Sequence, residues 1–309
     1  VYAVSYFLQR YCGIRWWTPW AGRVPKRPFL KFDELNIRTT PAFAMRDPYW
    51  FSARNAKWAV RNFSNSWSAK IPSSMGGAVN YVSWCHTFYD LVPPKDHFQA
   101  HPEWFSLTQG KRTWERAQLC LSNAGLRDFV VGRAKEWLRS SPEGHIISIS
   151  QNDWAGACEC SDCKALDEAE ESHAGSLIDF VNHVAEKIEP EFPHALVDTI
   201  AYQYTRKPPK TIRLRRNVVV RLCSIECDFR HPLDHPSNAD FVEHIKGWAK
   251  ICPRLSIWDY TTNFRHYIAP HPNWFTLGPN LKFFQKHKVW GVFEQGSGGK
   301  AYGAEMGEM

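Results

Sequence analysis

Two kinds of chemically active residue lie close together in the stretch SISQNDWAGACECSDCKALDE, residues 148–168. An apolar run of β type ends at Ser150, and Asn152 and Asp153 follow it. A carboxyl group at the end of a strand can give or take a proton, as general acid catalysis requires. Two simpler roles stay open, because Asp153 could cap the segment that follows and Asn152 could shape a tight turn.

Three cysteines follow in the same stretch, at Cys158, Cys160 and Cys163. Their C-x-C-x-x-C spacing supplies up to three thiolates, whereas tetrahedral zinc takes four ligands, and His173 or Asp162 is a candidate for the fourth. A local disulfide with one spare thiol, or three free structural thiols, are the alternatives. We expect no catalytic cysteine, no metal in the active site and no cofactor.

The composition is that of an ordinary globular protein: 309 residues, 44% hydrophobic and 22% charged. The net charge is +7, but the basic residues are spread out and the densest cluster is RLRR at 213–216. We therefore expect no nucleic-acid partner. No apolar run approaches the roughly 18 residues that a membrane span needs. The 15 Trp, 19 Phe and 11 Tyr residues fit either a large core or a sugar-binding site.

Eight apolar runs recur from about residue 41 onward, and helical patterns separate several of them. The runs are AFAMRDPYW, YVSWCHTF, AQLCLSN, HIISISQND, LVDTIAYQY, NVVVRLCSIE, RLSIWDYTT and KVWGVFEQG. The helical patterns cover 126–140, 176–188, 238–251 and 279–287. This alternation predicts an α/β fold, a (β/α)8 TIM-type barrel over residues 41–309, with an open doubly wound sheet as the alternative.

The two ends of the chain predict missing neighbours. Residues 1–40 contain one helical pattern and a Pro-rich extended segment, which is too little to form a core. We interpret them as the C-terminal end of a truncated N-terminal α/β domain. The ending GAEMGEM leaves open that the barrel is truncated at its C-terminus.

Each apolar run ends in polar or ionisable residues. In order along the chain these are Arg46-Asp47, His86, Asn123, Asn152-Asp153, Tyr202-Gln203-Tyr204, Glu226, Trp258-Asp259-Tyr260 and Glu294-Gln295. The chemistry of a barrel lies at the carboxyl ends of its strands. The pattern therefore predicts one pocket of carboxylates, amides and aromatic rings, which suits the cleavage of sugars.

Several long motifs also resemble a known family. The stretches SISQNDWAGACECSDC, IAYQYTRKPPK, VVVRLCSIECDFRHPL, LSIWDYTTNFRHYIAPHPNWFTLGPN and GVFEQG are similar to the catalytic domain of glycoside hydrolase family 163, once the domain of unknown function 4838. The resemblance covers roughly residues 41–309. It implies an endo-acting β-N-acetylglucosaminidase that cleaves complex N-glycans, in secreted or cell-envelope proteins of glycan-degrading bacteria.

The predicted catalytic residues are Asp153, Asn152 and Glu226. We assign Asp153 as the general acid, with Trp154 next to it to desolvate the carboxyl and raise its pKa. By analogy with hexosaminidases, Asn152 would orient the acetamido group of the substrate, which then acts as the nucleophile. Glu226 or Glu294 would be the nucleophile instead if the enzyme used a direct double displacement.

The remaining candidates are substrate-binding residues. Arg46 is placed to donate hydrogen bonds to sugar hydroxyls, and Asp259 with Tyr260 would hold the acetamido group. The full set of predicted binding residues is Arg46, His86, Tyr202, Tyr204, Trp258, Asp259, Tyr260 and Glu294. The alternatives are an inactive carbohydrate-binding barrel, a retaining glycosidase for a different sugar, and a zinc-dependent hydrolase that uses the cysteine loop.

Overall fold

A computed structural model describes residues 2–267 and 269–297 of the chain. Residues 298–309, the end of the predicted barrel range, lie outside the described residues. The helices are α1 (Tyr2–Arg10), α2 (Ala56–Arg61), α3 (Phe88–Leu91), α4 (Pro94–His97), α5 (Ala124–Ser140), α6 (Ser161–Ala169), α7 (Ala174–Ile188), α8 (Ala239–Ile251) and α9 (Leu277–Lys286). The strands are β1 (Arg15–Trp16), β2 (Gly22–Arg23), β3 (Met45–Asp47), β4 (Tyr81–Ser83), β5 (Leu107–Thr108), β6 (Lys111–Arg112), β7 (Ile146–Ser148), β8 (Leu196–Ala201), β9 (Val218–Cys223), β10 (Leu255–Tyr260) and β11 (Gly291–Gln295).

Seven of these strands form one parallel sheet in the order β3-β11-β10-β9-β8-β7-β4. The sheet curls like half a barrel, and the hydroxyl of Tyr81 on β4 lies 3.6 Å from Met45 Sδ on β3. Among the described residues, however, no hydrogen-bonded ladder joins β3 to β4. The prediction of a closed (β/α)8 barrel is therefore wrong, and the sheet is open between its first and second strands.

The predicted third strand, AQLCLSN (117–123), is the physical reason for part of this error. Residues 117–121 are buried, but the run forms no strand of the sheet and makes one isolated bridge, Phe105 to Leu119. The backbone N–H of Gln118 donates to Gly156 O (3.1 Å), and that of Cys120 donates to Trp104 O (2.8 Å). A short buried segment that bonds to loops has the same apolar pattern as a buried strand.

The four predicted helices are present as α5, α7, α8 and α9. Helix α5 illustrates why they form. Asn123 caps it by accepting a hydrogen bond from Leu126 N at 2.9 Å. Its buried residues, Leu126, Val130, Ala134 and Leu138, recur every four positions and therefore form one face. That face packs toward α7 and the sheet in the main core.

Side-chain alternation divides the sheet into two faces. On β9, Val218, Val220 and Leu222 belong to the main core between sheet and helices. Arg221 and Cys223 point to the concave face, where Cys223 packs with Trp258, Tyr260 and Phe293 in a smaller aromatic cluster. The parity of a residue along its strand thus decides which environment it meets.

The N-terminal segment packs beside the sheet through α1 and α2. The Tyr2 hydroxyl donates to Ser64 O (3.2 Å), and Trp58 Nε1 donates to Trp16 O (3.1 Å). Strands β1 and β2 pair antiparallel. Its origin in a separate truncated domain stays a prediction. None of the described helices combines the length and apolar character needed to cross a membrane.

Candidate active site

A cavity of about 380 Å³ lies at the carboxyl ends of the parallel strands. All seven strands, or the residues just after them, contribute to its wall. The lining residues are Tyr49, Trp84, Cys85, His86, Asp153, Ile200, Tyr202, Cys223, Ile225, Trp258, Tyr260, Phe264, Phe293 and Gln295. This is the edge at which open and closed parallel α/β sheets bind ligands.

Three aromatic rings form the base of the cavity. The ring centroid of Trp84 lies 5.7 Å from that of Trp258 and 4.8 Å from that of Phe293, and Trp258 and Phe293 are 4.9 Å apart. Trp258 Nε1 donates to Gln295 Oε1 at 2.6 Å. This bond leaves the amide NH₂ of Gln295, a cavity-lining residue, to donate to a ligand.

A fully buried ion pair lies against this aromatic base. Arg221 donates to both carboxylate oxygens of Asp198, at 2.8 and 2.6 Å, and both side chains are 0% exposed. The guanidinium carbon lies 4.1 Å from the Trp84 ring, in the range of a cation–π contact. Burial lowers the pKa of Arg221, but the adjacent Asp198 more than offsets this and raises it overall, so the arginine stays charged.

Asp153 is the carboxylate that lines the cavity. Its side chain is 60% exposed, and its Oδ1 lies 3.7 Å from His86 Nε2. The other ring nitrogen, His86 Nδ1, lies 2.8 Å from the backbone oxygen of Gln151. A carbonyl only accepts, so Nδ1 donates to it and Nε2 is the ring nitrogen that faces Asp153.

Tyr202 completes the polar wall of the cavity. Burial raises the pKa of its phenol above the ordinary value, and the nearby Asp153 raises it further. Gln203 Nε2 donates to the Tyr202 hydroxyl at 3.0 Å. His86 and Gln203 both have left-handed backbones, with φ of 54° and 51°, a conformation that non-glycine residues adopt at a cost and that clusters at functional sites.

Asn152 and Trp154 point away from the ligand space. The Asn152 amide donates to Ala117 O (3.0 Å), and its backbone N–H donates to Gln118 Oε1 (2.8 Å). Trp154 Nε1 also donates to Ala117 O, at 2.7 Å. Trp154 therefore does not cover Asp153, and both neighbours of Asp153 are held by the same buried segment.

Two further predicted residues lie outside the cavity. Arg46 points to the other side of β3, where its guanidinium donates to the backbone oxygens of Phe63 and Phe43, each at 2.6 Å. Tyr204 packs edge-on against His173, with ring centroids 5.8 Å apart, beside α6 and α7.

Glu226 lies at the rim and not in the cavity wall. Its Oε2 accepts a hydrogen bond from Arg206 Nη1 at 2.9 Å, and its side chain is 40% exposed. It is close enough to raise the pKa of Tyr202 and Tyr260 as one of the smaller contributors, after burial.

Asp259 and Glu294 face each other in register on β10 and β11. They have the opposite parity from Trp258, Tyr260 and Gln295, so they point to the outer face of the sheet. Burial raises the pKa of Asp259, and burial together with Asp259 raises that of Glu294 well above the usual range. The structure thus gathers His86, Asp153, Tyr202, Trp258 and Tyr260, and places Arg46, Tyr204, Asp259 and Glu294 elsewhere.

Sequence reasoning did not select Arg221 or Trp84, and it named Gln295 at a strand end without giving it a role. A signal for Arg221 was available, since one charged residue interrupts the buried strand NVVVRLC. Side-chain alternation along β10 and β11 would also have placed Trp258 and Gln295 on one face of the sheet and Asp259 and Glu294 on the other. In the described part of the chain, one group of side chains is close enough to hold a metal ion: Cys120, Cys158, Cys160 and Cys163, outside the cavity.

Comparison with known proteins gives a family and no function. No curated protein matches the chain. A family model described as a domain of unknown function matches residues 16–309, which is nearly all of the sequence. The chain therefore belongs to the family of the domain of unknown function DUF4838.

Proposed function

We propose that the protein is a glycoside hydrolase whose cavity holds a sugar ring and whose Asp153 is the general acid. The observation that carries this proposal is the position of Asp153: an exposed carboxylate in the wall of an aromatic cavity at the carboxyl ends of parallel strands. A volume of about 380 Å³ is within the range of small-molecule sites.

The aromatic and polar walls suit a sugar. Trp84 and Trp258 offer flat apolar faces, and Tyr202, Tyr260 and Gln295 offer hydroxyl and amide groups. Such a combination binds the apolar faces of a ring and its hydroxyl groups at the same time. His86 lies beside this carboxyl, with its Nε2 3.7 Å from Asp153 Oδ1, where the ring can orient the acid toward the leaving group.

The distribution of carboxylates favours assistance by the substrate. A direct double displacement needs a second carboxylate about 5–5.5 Å from the acid. Asp153 is the one carboxylate among the described residues that line the cavity, while Glu294 faces the outer side and Glu226 pairs with Arg206. The acetamido carbonyl of an N-acetylglucosamine would then attack the anomeric carbon as Asp153 protonates the departing oxygen.

The substrate class rests on the family resemblance. Complex N-glycans cleaved at a β-N-acetylglucosaminyl linkage, and a secreted or cell-envelope location, are part of this proposal. In it Asn152 positions Asp153 through its bond to Ala117, and Tyr202, Tyr260 and Gln295 contact the ligand. A carbohydrate-binding protein without activity would bind the same glycans and leave them intact.

The first test is hydrolysis of a complex N-glycan and of an aryl N-acetylglucosaminide by the wild type and Asp153→Asn. We expect the variant to lose about 10²–10⁴-fold on the glycan, because general acid catalysis supplies that much. The loss should be smaller on the aryl substrate, whose leaving group needs less protonation. Asp128→Asn, an exposed aspartate on α5, is the matched control and should keep wild-type rates.

Asn152→Ala extends this test. Because Asn152 holds the loop and not the leaving group, its loss should affect both substrates alike. Near wild-type cleavage of the glycan by Asp153→Asn would show that the acid lies elsewhere. Glycan binding without any cleavage by the wild type would support the carbohydrate-binding alternative.

A further inference from the structure

In the folded protein a fourth cysteine lies beside the loop that carries Cys158, Cys160 and Cys163. Cys120, from the buried segment 117–121, lies beside Cys158, Cys160 and Cys163, and all four Sγ atoms are within 4.8 Å of one another. We call these four residues the cysteine cluster. Cys120 and Cys160 approach to 3.6 Å, and three of the four side chains are buried while Cys160 is half-buried.

These distances match a tetrahedral metal site. Four thiolates at about 2.3 Å from a zinc ion are about 3.8 Å from one another. A disulfide would need a sulfur pair at about 2.05 Å, whereas Cys120 and Cys160 are 3.6 Å apart and all four cysteines of the cluster are free. We propose that the cysteine cluster binds one zinc ion through its four thiolates. Neither His173 nor Asp162 is a ligand, because Cys120 supplies the fourth position.

Nearby donors suit the negative charge of four thiolates. The backbone N–H of Leu107 lies 3.3 Å from Cys158 Sγ, and Arg112 Nη1 lies 3.7 Å from the same atom. The Ser122 hydroxyl lies 3.1 Å from Cys163 Sγ. Such outer groups orient metal ligands and offset their charge. The folded protein thus already places hydrogen-bond donors beside the sulfur atoms that would bind the metal.

The local fold explains how the ligands converge. Cys160 is the N-cap of α6, and Cys163 lies in its first turn. The loop before α6 bonds to the hairpin of β5 and β6, since Glu159 N–H donates to Leu107 O at 2.8 Å. Cys120 comes from the apolar run that failed to become a sheet strand. Its burial beside the loop brings together two segments of the same chain that are about forty residues apart in sequence.

A four-thiolate site has no open position and is therefore structural. Its effect would reach the cavity, because Ala117 and Gln118 precede Cys120 and hold Asn152 and Trp154 on both sides of Asp153. The zinc would hold the segment with Ala117 and Gln118 in place, and with it these hydrogen bonds to Asn152 and Trp154. The metal site itself does not depend on the proposed hydrolase function; only the consequence for Asp153 rests on it.

The test is the metal content of the 309-residue chain purified without chelator. We expect one zinc per chain by elemental analysis, faster alkylation of the four cluster cysteines once the zinc is removed, and the charge-transfer bands of a tetrahedral cobalt thiolate after exchange with Co²⁺. Cys120→Ser should lose the zinc and the cobalt spectrum. Cys252→Ala, which removes a thiol as buried as Cys158 but outside the cluster, should retain both.

A second measurement keeps the test decisive if Cys120→Ser does not fold. Removing the metal from wild type with a chelator should lower its unfolding temperature, and adding zinc should restore it. Sub-stoichiometric zinc in the wild type, cluster cysteines joined as disulfides by mass spectrometry, or equal metal loss in Cys252→Ala would overturn the proposal. Zinc binding in a protein that cleaves no glycan would leave this inference standing and defeat only the hydrolase.

Discussion

Two pairs of buried charged or ionisable residues lie on opposite faces of the same sheet and behave differently. On the concave face, Asp198 is paired with Arg221 by two hydrogen bonds. On the outer face, Asp259 lies in register with Glu294; Asp259 accepts hydrogen bonds from Ser224 and from its neighbour's backbone N–H. The first acid has a cation beside it and the second has another acid.

The carboxyl groups on the two faces of the sheet therefore have different electrostatic surroundings. Burial raises the pKa of Asp198, and the bidentate Arg221 beside it counteracts part of that rise. On the outer face, burial raises the pKa of Asp259, and burial together with Asp259 raises that of Glu294, so the fold favours the neutral acids. Raised carboxyl pKa values are typical of active sites, and here burial raises them on both faces of the sheet.

The largest effect is expected from breaking the ion pair. Arg221→Met leaves Asp198 buried without a counter-ion, so we expect the free energy of unfolding to fall by about 3–5 kcal/mol at neutral pH. Chemical denaturation monitored by tryptophan fluorescence measures this. The double variant Asp198→Leu/Arg221→Met should recover much of the loss, because neither charge is then orphaned. A single variant that costs under about 1 kcal/mol would mean that the pair is not desolvated.

A smaller effect of opposite sign is expected on the outer face. The folded pKa of Glu294 is raised by burial and by Asp259, so the fold favours the neutral acid. The unfolded chain ionises near its ordinary pKa of about 4.3, and the stabilisation is therefore present below that pH and is lost as pH rises toward the folded pKa. Glu294→Gln removes this decline.

Between pH 5 and pH 9 we therefore expect the free energy of unfolding of Glu294→Gln to rise relative to that of wild type by at least about 1 kcal/mol, since one pKa unit is worth about that much. Unfolding free energies across this range measure it. Glu243→Gln, an exposed glutamate on α8, should track wild type at every pH. A constant difference between Glu294→Gln and wild type across the range would contradict the raised pKa.

The smallest effect is expected at the rim, where Glu226 and Arg206 form a partly exposed pair. Solvent screens such pairs, so Glu226→Gln should change stability by less than about 1 kcal/mol. If Asp153 is the acid, hydrolysis should change only a few-fold, and the effect should shrink as salt is added. A fall of about 100-fold or more at unchanged stability would instead place Glu226 in the reaction.

The sequence predicted the strands and helices better than it predicted whether the sheet closes into a barrel. Seven of the eight apolar runs are strands of the parallel sheet, and helices α5, α7, α8 and α9 occupy the predicted stretches. Continuous apolar strands separated by amphipathic helices require a helix-covered parallel sheet. Nothing in that pattern shows whether the two edge strands pair, because closure depends on strand tilt and register across the whole sheet.

The candidate site was predicted in part for a similar reason. The end of an apolar run placed Asp153 after a strand, but Asp259 was grouped with Trp258 and Tyr260 although alternation along β10 puts them on opposite faces. The buried hydrogen bonds of Asn152 depend on a segment more than thirty residues away, which no local pattern contains.

By itself, then, the amino-acid sequence determined seven strands of the sheet, four of the helices and the polar residues that follow the strands, because these are properties of local periodicity. Only the tertiary structure decided that the sheet stays open, that Asp259 and Glu294 meet on its outer face, and that Cys120 joins the cysteine loop. The physical reason is that each of these depends on long-range packing between segments that are far apart in the chain.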